Sequence, residues 1–262
     1  MSRDAVRRLT HHAAMPLVLV AALACAGGKD KSDPTSPGNT TGTVNGGWSG
    51  TTSQGRPIDF LVSNGSVVFT MISTQVVAGT CTSTFTTFIS SIARQTTYPV
   101  TNGDFTVAST TSAGTRTING TLNTSGSGSG SMLITDNRCA STLNGTWTAN
   151  KATTPLVNLA GTWNATFLSS AQPIATNGTM TLTQTGSTIA GTYTTATGGS
   201  GTVSGTVFGR MFLFSMNQTT QGCTGTFTGH GAVMSSPEFI VYNYTGSDCL
   251  GTHNLGSGSA DR

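Results

Sequence analysis

The sequence predicts an all-β protein in which two antiparallel β-sandwich or β-barrel modules follow a signal peptide and a flexible linker. Thr, Val, Ile, Phe and Tyr alternate with polar residues over short stretches, which is typical of half-buried strands. Asn-Gly, Gly-Ser and Gly-Gly pairs interrupt these stretches at the roughly eight- to twelve-residue spacing of all-β domains. No stretch shows helical periodicity. We therefore expect many short strands joined by tight turns.

The chain begins like a secretory signal. Arg3, Arg7 and Arg8 precede an uncharged, apolar run from Ala13 to Ala24. That run is shorter than the roughly 20 residues a transmembrane helix needs. Residues 1–24 are thus predicted to be a signal peptide.

The signal ends in Ala22-Leu23-Ala24-Cys25, which resembles the lipobox of bacterial lipoproteins. The resemblance implies cleavage before Cys25, a diacylglyceryl thioether on its sulfur and an acyl chain such as palmitate on its new amine. Several chains together make a lasting membrane anchor. Ala26, where inner-membrane lipoproteins tend to have Asp, favours the outer membrane. The alternative is an ordinary cleaved signal and a secreted protein.

Composition divides the remainder of the chain. Residues 25–47, rich in Gly, Ser, Thr and Pro, are predicted to be the lipidated cysteine and a flexible linker. A first β domain over 48–150 and a second over 159–256 are joined by a link at 151–158, which contains Pro155. Residues 257–262 are predicted to be a tail.

The alternating pattern places seven strands in each half. Those of the first half are Ile58 to Val62, Val67 to Ser73, Cys81 to Ile89, Phe105 to Ala108, Thr115 to Leu122, Ser131 to Thr135 and Gly145 to Ala149. Those of the second are Gly161 to Phe167, Thr179 to Thr183, Thr188 to Thr194, Gly201 to Val207, Met211 to Met216, Cys223 to Thr228 and Phe239 to Tyr244. Tight hairpin turns are expected at five Asn-Gly pairs, which begin at Asn64, Asn102, Asn119, Asn144 and Asn177.

Four cysteines follow Cys25, an even number in a chain bound for an oxidising compartment. They predict two disulfides, for which three connectivities exist. We favour Cys81 with Cys139 and Cys223 with Cys249, because each pair then lies within one half. The sequence Cys-Thr-Ser-Thr-Phe at Cys81 and Cys-Thr-Gly-Thr-Phe at Cys223 also suggests that the halves are repeats, although a composition rich in Thr and Gly makes such matches common.

Charge argues against one class of partner. Only 8% of the residues are Asp, Glu, Lys or Arg, and the net charge of +3 lies largely in the signal and linker. Nucleic-acid binding depends on clustered Lys and Arg, so no nucleic acid is expected. A protein, a glycan or a small molecule remains open as partner.

One pattern suggests ligand binding. Gly161-Thr162-Trp163 on a first strand and Gly191-Thr192-Tyr193-Thr194 on a third resemble the opening of avidin-like and lipocalin-like barrels. In those families the Trp closes one end of a barrel whose interior holds a small ligand. The residues that would line such a cavity are Trp163, Tyr193, Phe208, Phe212, Phe214 and Tyr242. The alternative is a Trp that plugs a packed interior.

Catalytic and metal-binding groups are sparse. His230 and His253, with Glu238 and Asp248 between them, are the candidates for acid–base or metal chemistry, but they form no HExxH motif. A hydrolase or metal enzyme would need both histidines close to each other and to a carboxylate. We therefore expect no enzyme, no cofactor and no metal. The sequence favours a lipid-anchored surface binding or interaction module, with a ligand-binding barrel in the second half as the alternative.

Overall fold

A computed structural model describes residues 43–171, 174–220, 222–235, 238–249 and 251–262. Within these residues the fold is all-β, as predicted, with two eight-stranded antiparallel sheets and one short helix. Thr41–Arg262 forms one compact unit. Within the described residues, no helix is long and apolar enough to cross a bilayer.

The first sheet curls into a nearly closed barrel, called here the first barrel. Its strands are β1 (Gly46–Thr52), β2 (Pro57–Ser63), β3 (Ser66–Ala78), β4 (Cys81–Ser90), β5 (Asp104–Thr111), β6 (Gly114–Leu122), β7 (Ser127–Asp136) and β8 (Ser141–Lys151). They pair in the order β4-β3-β2-β1-β8-β7-β6-β5, which leaves β4 and β5 as edges. Helix α1 (Ser91–Arg94) begins the connection between those edges. Alternate residues face the core, which contains Trp48, Phe60 and Trp147.

The second sheet is a closed barrel, called here the second barrel. Its strands are β9 (Gly161–Ser169), β10 (Thr176–Thr185), β11 (Thr188–Thr195), β12 (Ser200–Phe208), β13 (Met211–Thr220), β14 (Cys223–Ser235), β15 (Glu238–Asp248) and β16 (Gly251–Asp261). Each pairs with its sequence neighbour, and β9 pairs with both β10 and β16. Closure leaves this sheet without an exposed edge.

The two disulfides join the cysteines in the favoured pairing. Cys81 is bonded to Cys139 with a Cα–Cα distance of 5.6 Å, and Cys223 to Cys249 with one of 5.3 Å. Each bridge lies within one barrel.

Three boundaries differ from the sequence prediction. β1 starts at Gly46, inside the predicted linker, and β8 extends to Lys151. The predicted tail at 257–262 is wrong, because β16 runs to Asp261 and pairs with both β15 and β9. The apolar residues of its Gly-Ser-rich sequence are Leu255 and Ala260, and a side chain at Gly258 would overlap the Tyr242 ring. The strand therefore needs glycine where the ring crosses it.

The Asn-Gly turns are correct at two of the five positions. Asn64 and Asn102, each with the glycine that follows it, have the positive φ angles of tight hairpins. The pairs that begin at Asn119, Asn144 and Asn177 lie inside β6, β8 and β10 instead. The Gly- and Ser-rich stretch from Ser127 to Ser131 lies within β7 as well.

An apolar and polar interface joins the barrels. Leu61 and Phe69 of the first barrel pack in one buried cluster with Met211 of the second. Next to it, Arg210 Nη2 donates to the buried Asp59 carboxylate at 2.9 Å. Burial raises the pKa of Asp59, and the Arg210 charge opposes that rise.

Candidate functional site

One end of the second barrel contains a cavity of about 300 Å³, called here the end pocket. Its walls combine aromatic rings with a few polar side chains and the Cys223–Cys249 disulfide. The aromatic residues are Phe167, Tyr193, Phe227 and Tyr244, and the principal polar residues are Ser169, Gln218, Asp248 and His253. This mixture of apolar walls and convergent polar groups is typical of small-molecule sites.

The strand periodicity explains how these residues meet. Phe167 and Ser169 are two residues apart on β9, and Met216 and Gln218 are two apart on β13, so each pair projects inward. Asp248 ends β15, and the hairpin returns the chain on β16. Residues distant in sequence therefore share the mouth of the barrel.

A hydrogen-bonded network crosses the floor of the end pocket. His253 Nε2 lies 3.0 Å from Asp248 Oδ1, and His253 Nδ1 lies 2.7 Å from Ser169 Oγ. Because a carboxylate only accepts, His253 donates from Nε2 to Asp248, and its Nδ1 shares the second hydrogen bond with the Ser169 hydroxyl. Gln218 Nε2 donates to Asp248 Oδ2 at 3.5 Å. Hydrogen bonds thus orient both oxygens of the Asp248 carboxylate.

The electrostatics of the end pocket centre on Asp248. Burial and, after it, the Asp248 charge raise the pKa of Tyr193 to about 12. Burial also raises the pKa of Tyr244 to about 12, with smaller contributions from Tyr193 and Asp248. Both phenols are therefore neutral at physiological pH. No Lys or Arg is among the described lining residues, and Asp248 is the one carboxylate among them.

Five of the six aromatic residues predicted to line a ligand cavity fall in three places. Tyr193 lines the end pocket. Phe212, Phe214 and Tyr242 surround a void of about 20 Å³ deeper in the barrel, about the space of one water molecule. Trp163 is fully buried toward the other end, where the Arg262 guanidinium lies 4.4 Å from its ring centroid.

The middle of the second barrel is therefore packed by side chains. The sixth aromatic of the hypothesis, Phe208, packs between the barrels.

The two histidines have different surroundings. His230 on β14 lies 2.7 Å from Ser90 Oγ of the first barrel and packs against the Phe69 ring, whereas His253 belongs to the end pocket. The two rings thus contact different residues, whereas a hydrolase or metal enzyme built on both would require them to lie together. Glu238 pairs with Arg262 away from either ring.

One group of potential metal ligands occurs among the described residues, formed by Cys223, Asp248 and Cys249. Both sulfurs are in a disulfide and offer no thiolate. This group therefore gives no basis for a metal site.

Sequence reasoning paired Cys223 with Cys249 and named Tyr193, Asp248 and His253, but it did not bring these five end-pocket residues together. Ser169 and Gln218 are ordinary residue types in a Ser- and Thr-rich chain, and nothing in the sequence distinguishes them. One local signal could have predicted that Asp248 and His253 lie close together. Asp248 directly precedes Cys249, and His253 follows Cys249 on the other side of the same hairpin. The predicted lipidation site, Cys25, lies outside the described residues.

Comparison with known proteins identifies no family. No family model matches the chain, and no curated protein matches it. A protein of unknown function of the DUF3598 family from Nostoc punctiforme is 12% identical, with coverage of 83% of this chain and 96% of that one and a TM-score of 0.26.

Two mutants of the vaccine antigen transferrin binding protein B from Haemophilus parasuis are 6% and 8% identical. The alignments cover 78% of this chain and 59% and 62% of those chains, with a TM-score of 0.23 for each. Scores this low give no basis for transferring a function, so the end pocket is interpreted from its own geometry.

Proposed function

We propose that the protein is a lipid-anchored binding module of the cell envelope, whose second barrel holds a small ligand in the end pocket. The observation that supports this most directly is the cavity of about 300 Å³, in which aromatic walls meet the network of Ser169, His253 and Asp248. A volume of that size lies at the lower limit of typical ligand pockets. The ligand would therefore be small.

We propose binding rather than catalysis for the Ser169–His253–Asp248 network. In serine proteases the serine bonds to Nε2 of the histidine and the aspartate to Nδ1, whereas here the two ring nitrogens are exchanged. Ser169 also interacts with Tyr244. Its hydroxyl is thus engaged in orienting the ring, and we assign the network to the fixed polar floor of a binding site.

Blocking the mouth of the end pocket tests this function. Thr197 is exposed at the rim, so Thr197→Trp should obstruct entry without disturbing the core. Thr194→Trp, at an exposed position that does not line the pocket, is the matched control. Compounds found by ligand-observed NMR with the full chain should bind the wild type and the control and lose binding to Thr197→Trp. Equal binding to all three proteins would place the ligand elsewhere and refute the proposal.

The anchor is a separate part of the proposal. We propose that Cys25 carries the lipid and holds the protein at the outer membrane, where the linker would present the barrels to the surroundings. The test is the intact mass of protein extracted from membranes, compared with a Cys25→Ser variant. We expect a lipid-sized mass increment on a chain that starts at Cys25, and release of the variant. A soluble chain cut at another residue would refute anchoring and leave a secreted binding protein.

A further inference from the structure

We propose that a cleft between the two barrels binds a neutral oligosaccharide. Its wall contains Ser63 and Ser91 of the first barrel, and its floor contains Ser204, Ser215 and Thr228 on the outer face of the second. The volume of this interbarrel cleft, about 520 Å³, lies within the roughly 300–1,000 Å³ of small-molecule sites. The cleft shares no described residue with the end pocket. The inference therefore goes beyond the proposed function and does not depend on it.

Hydroxyl groups form most of the polar surface of the interbarrel cleft. Ser204, Ser215 and Thr228 lie directly opposite one another on three neighbouring strands, which are about 4.8 Å apart. The hydroxyls around this row belong to Thr206, Ser63 and Ser91. Within the described part of the chain, none of these six side-chain hydroxyls hydrogen-bonds to another residue. Because strand pairing fixes their spacing, they form a preorganised set of donors and acceptors.

One buried side chain of the cleft also has an unused polar atom. His230 lines the interbarrel cleft although it is only 3% exposed. Its Nε2 lies 2.7 Å from Ser90 Oγ and its ring packs against Phe69, so contacts with the first barrel fix its orientation. Its Nδ1 makes no hydrogen bond to any described residue. A buried polar atom without a partner is costly. A ligand hydroxyl, which both donates and accepts, would satisfy Nδ1 in either tautomer.

Apolar and uncharged side chains complete the cleft. Val68, Ile92 and Leu213 line it, and Val68 and Leu213 pack against the buried apolar cluster between the barrels. Apolar side chains beside hydroxyls suit a sugar ring, which presents C–H groups as well as hydroxyls. No Asp, Glu, Lys or Arg occurs among the described lining residues. A charged ligand would therefore find no opposite charge in the cleft.

A peptide is the main competing class of neutral ligand. Extended peptides are recognised through main-chain hydrogen bonds to a free sheet edge. The three strands of the cleft floor, β12, β13 and β14, lie in the closed barrel, where each is already paired on both sides. They offer side-chain hydroxyls instead, which match a ligand that carries many hydroxyls of its own. The geometry therefore favours a saccharide over a peptide.

Titration of the full chain with trisaccharides tests this inference. The neutral probes are maltotriose, cellotriose, mannotriose and triacetylchitotriose, and the acidic probe is trigalacturonate. His230 lies in the interbarrel cleft and His253 in the end pocket, so the NMR signals of these two imidazole rings identify the occupied site. At least one neutral probe should shift the His230 signals and leave those of His253 unchanged. A shift at His253 alone, failure of every neutral probe to bind, or tighter binding of trigalacturonate would overturn the inference.

Paired variants locate the saccharide. Thr228→Val removes one hydroxyl of the row at nearly constant size and should weaken binding about three- to tenfold, whereas Thr226→Val, exposed on the same strand outside the cleft, should not. Ser204→Trp should fill the cleft and abolish binding, and Thr202→Trp, exposed on the same strand outside the cleft, is its control. Equal binding within either pair would contradict the site. Thr197→Trp, which blocks the end pocket, should retain saccharide binding, so failure of one site is distinguished from failure of the other.

Discussion

Acidification should lower the free energy of unfolding because one histidine is buried between the barrels. His230 is only 3% exposed, and it contacts the uncharged Ser90 and Phe69 of the first barrel. Burial lowers its pKa from 6.5 to about 4. The folded protein therefore holds a neutral imidazole at a pH where the unfolded chain has already bound a proton.

The sign and size of the effect follow from this difference. Above pH 6.5 neither state is protonated at His230, and the full stability is present. As the pH falls from 6.5 to about 4, the unfolded state alone gains the proton, so stability is lost. The difference between 6.5 and about 4, at about 1.4 kcal/mol for each pKa unit, corresponds to a loss of about 3 kcal/mol.

Urea unfolding at a series of pH values between 7.5 and 4 measures this loss. His230→Gln keeps a polar group that can bond to Ser90 but does not titrate. The wild type should therefore lose about 3 kcal/mol more than the variant across that range. Carboxylates such as Asp59 titrate in both proteins and cancel in the comparison. Parallel pH profiles of the two proteins would refute the assignment of a neutral, buried imidazole.

Three further variants test the packing by urea unfolding. Replacing Cys223 and Cys249 together by Ser should cost about 3 to 4 kcal/mol, because the bridge closes a loop with a sequence separation of 26; an unchanged midpoint would contradict a formed bridge. Arg210→Met should cost about 2 to 3 kcal/mol because it leaves the buried Asp59 carboxylate without its positive partner. Adding Asp59→Asn to this variant should recover most of the loss. Gly258→Ala should cost about 2 kcal/mol by overlapping a tyrosine ring, whereas Ser257→Ala should be nearly neutral; equal effects would contradict the close ring packing.

The fold class could be predicted because strand alternation is a local signal repeated along the chain. Each predicted strand lies within an observed one. The strands that escaped prediction are β1 and β16, which are held by ladders to two neighbours each rather than by alternating apolar residues. Gly120 shows a similar limit in the prediction of turns. It follows an asparagine, a pair that predicts a hairpin turn, yet it lies in the middle of β6. A side chain there would overlap the Trp147 ring, so the glycine serves packing rather than a turn.

The end pocket was less predictable because it depends on strand register. Ser169, Gln218 and His253 lie on three different strands, and no local pattern states which residues face each other across a barrel mouth. Tyr193 lines the end pocket, but the other predicted aromatic residues do not, for a related reason. Phe212, Phe214 and Tyr242 alternate inward as expected, but they fill the middle of the barrel and leave only a void of about 20 Å³. The alternation in the sequence shows which side chains face the barrel interior, but it does not show how far along the barrel each side chain lies.

The register also decides which parts of the two halves correspond. Trp48 and Trp163 lie on the first strand of their barrels, and each donates from Nε1 to the carbonyl four residues earlier at 2.9 Å. Cys139 and Cys249 both lie in the turn between the seventh and eighth strands. These positions support a common topology.

The similar sequences that begin at Cys81 and Cys223 do not correspond in the same way. Cys81 starts the fourth strand of the first barrel, and Cys223 starts the sixth strand of the second. The first disulfide therefore ties the free edge strand β4 to the β7–β8 turn, where Arg116 of β6 also lies 4.8 Å from the Phe85 ring of β4. The second joins neighbouring strands of a barrel that hydrogen bonds already close. Cys81 and Cys223 therefore occupy different positions in their barrels, and the matching pentapeptides reflect strand composition. The positions that do correspond between the halves are the two tryptophans and the turn between the seventh and eighth strands.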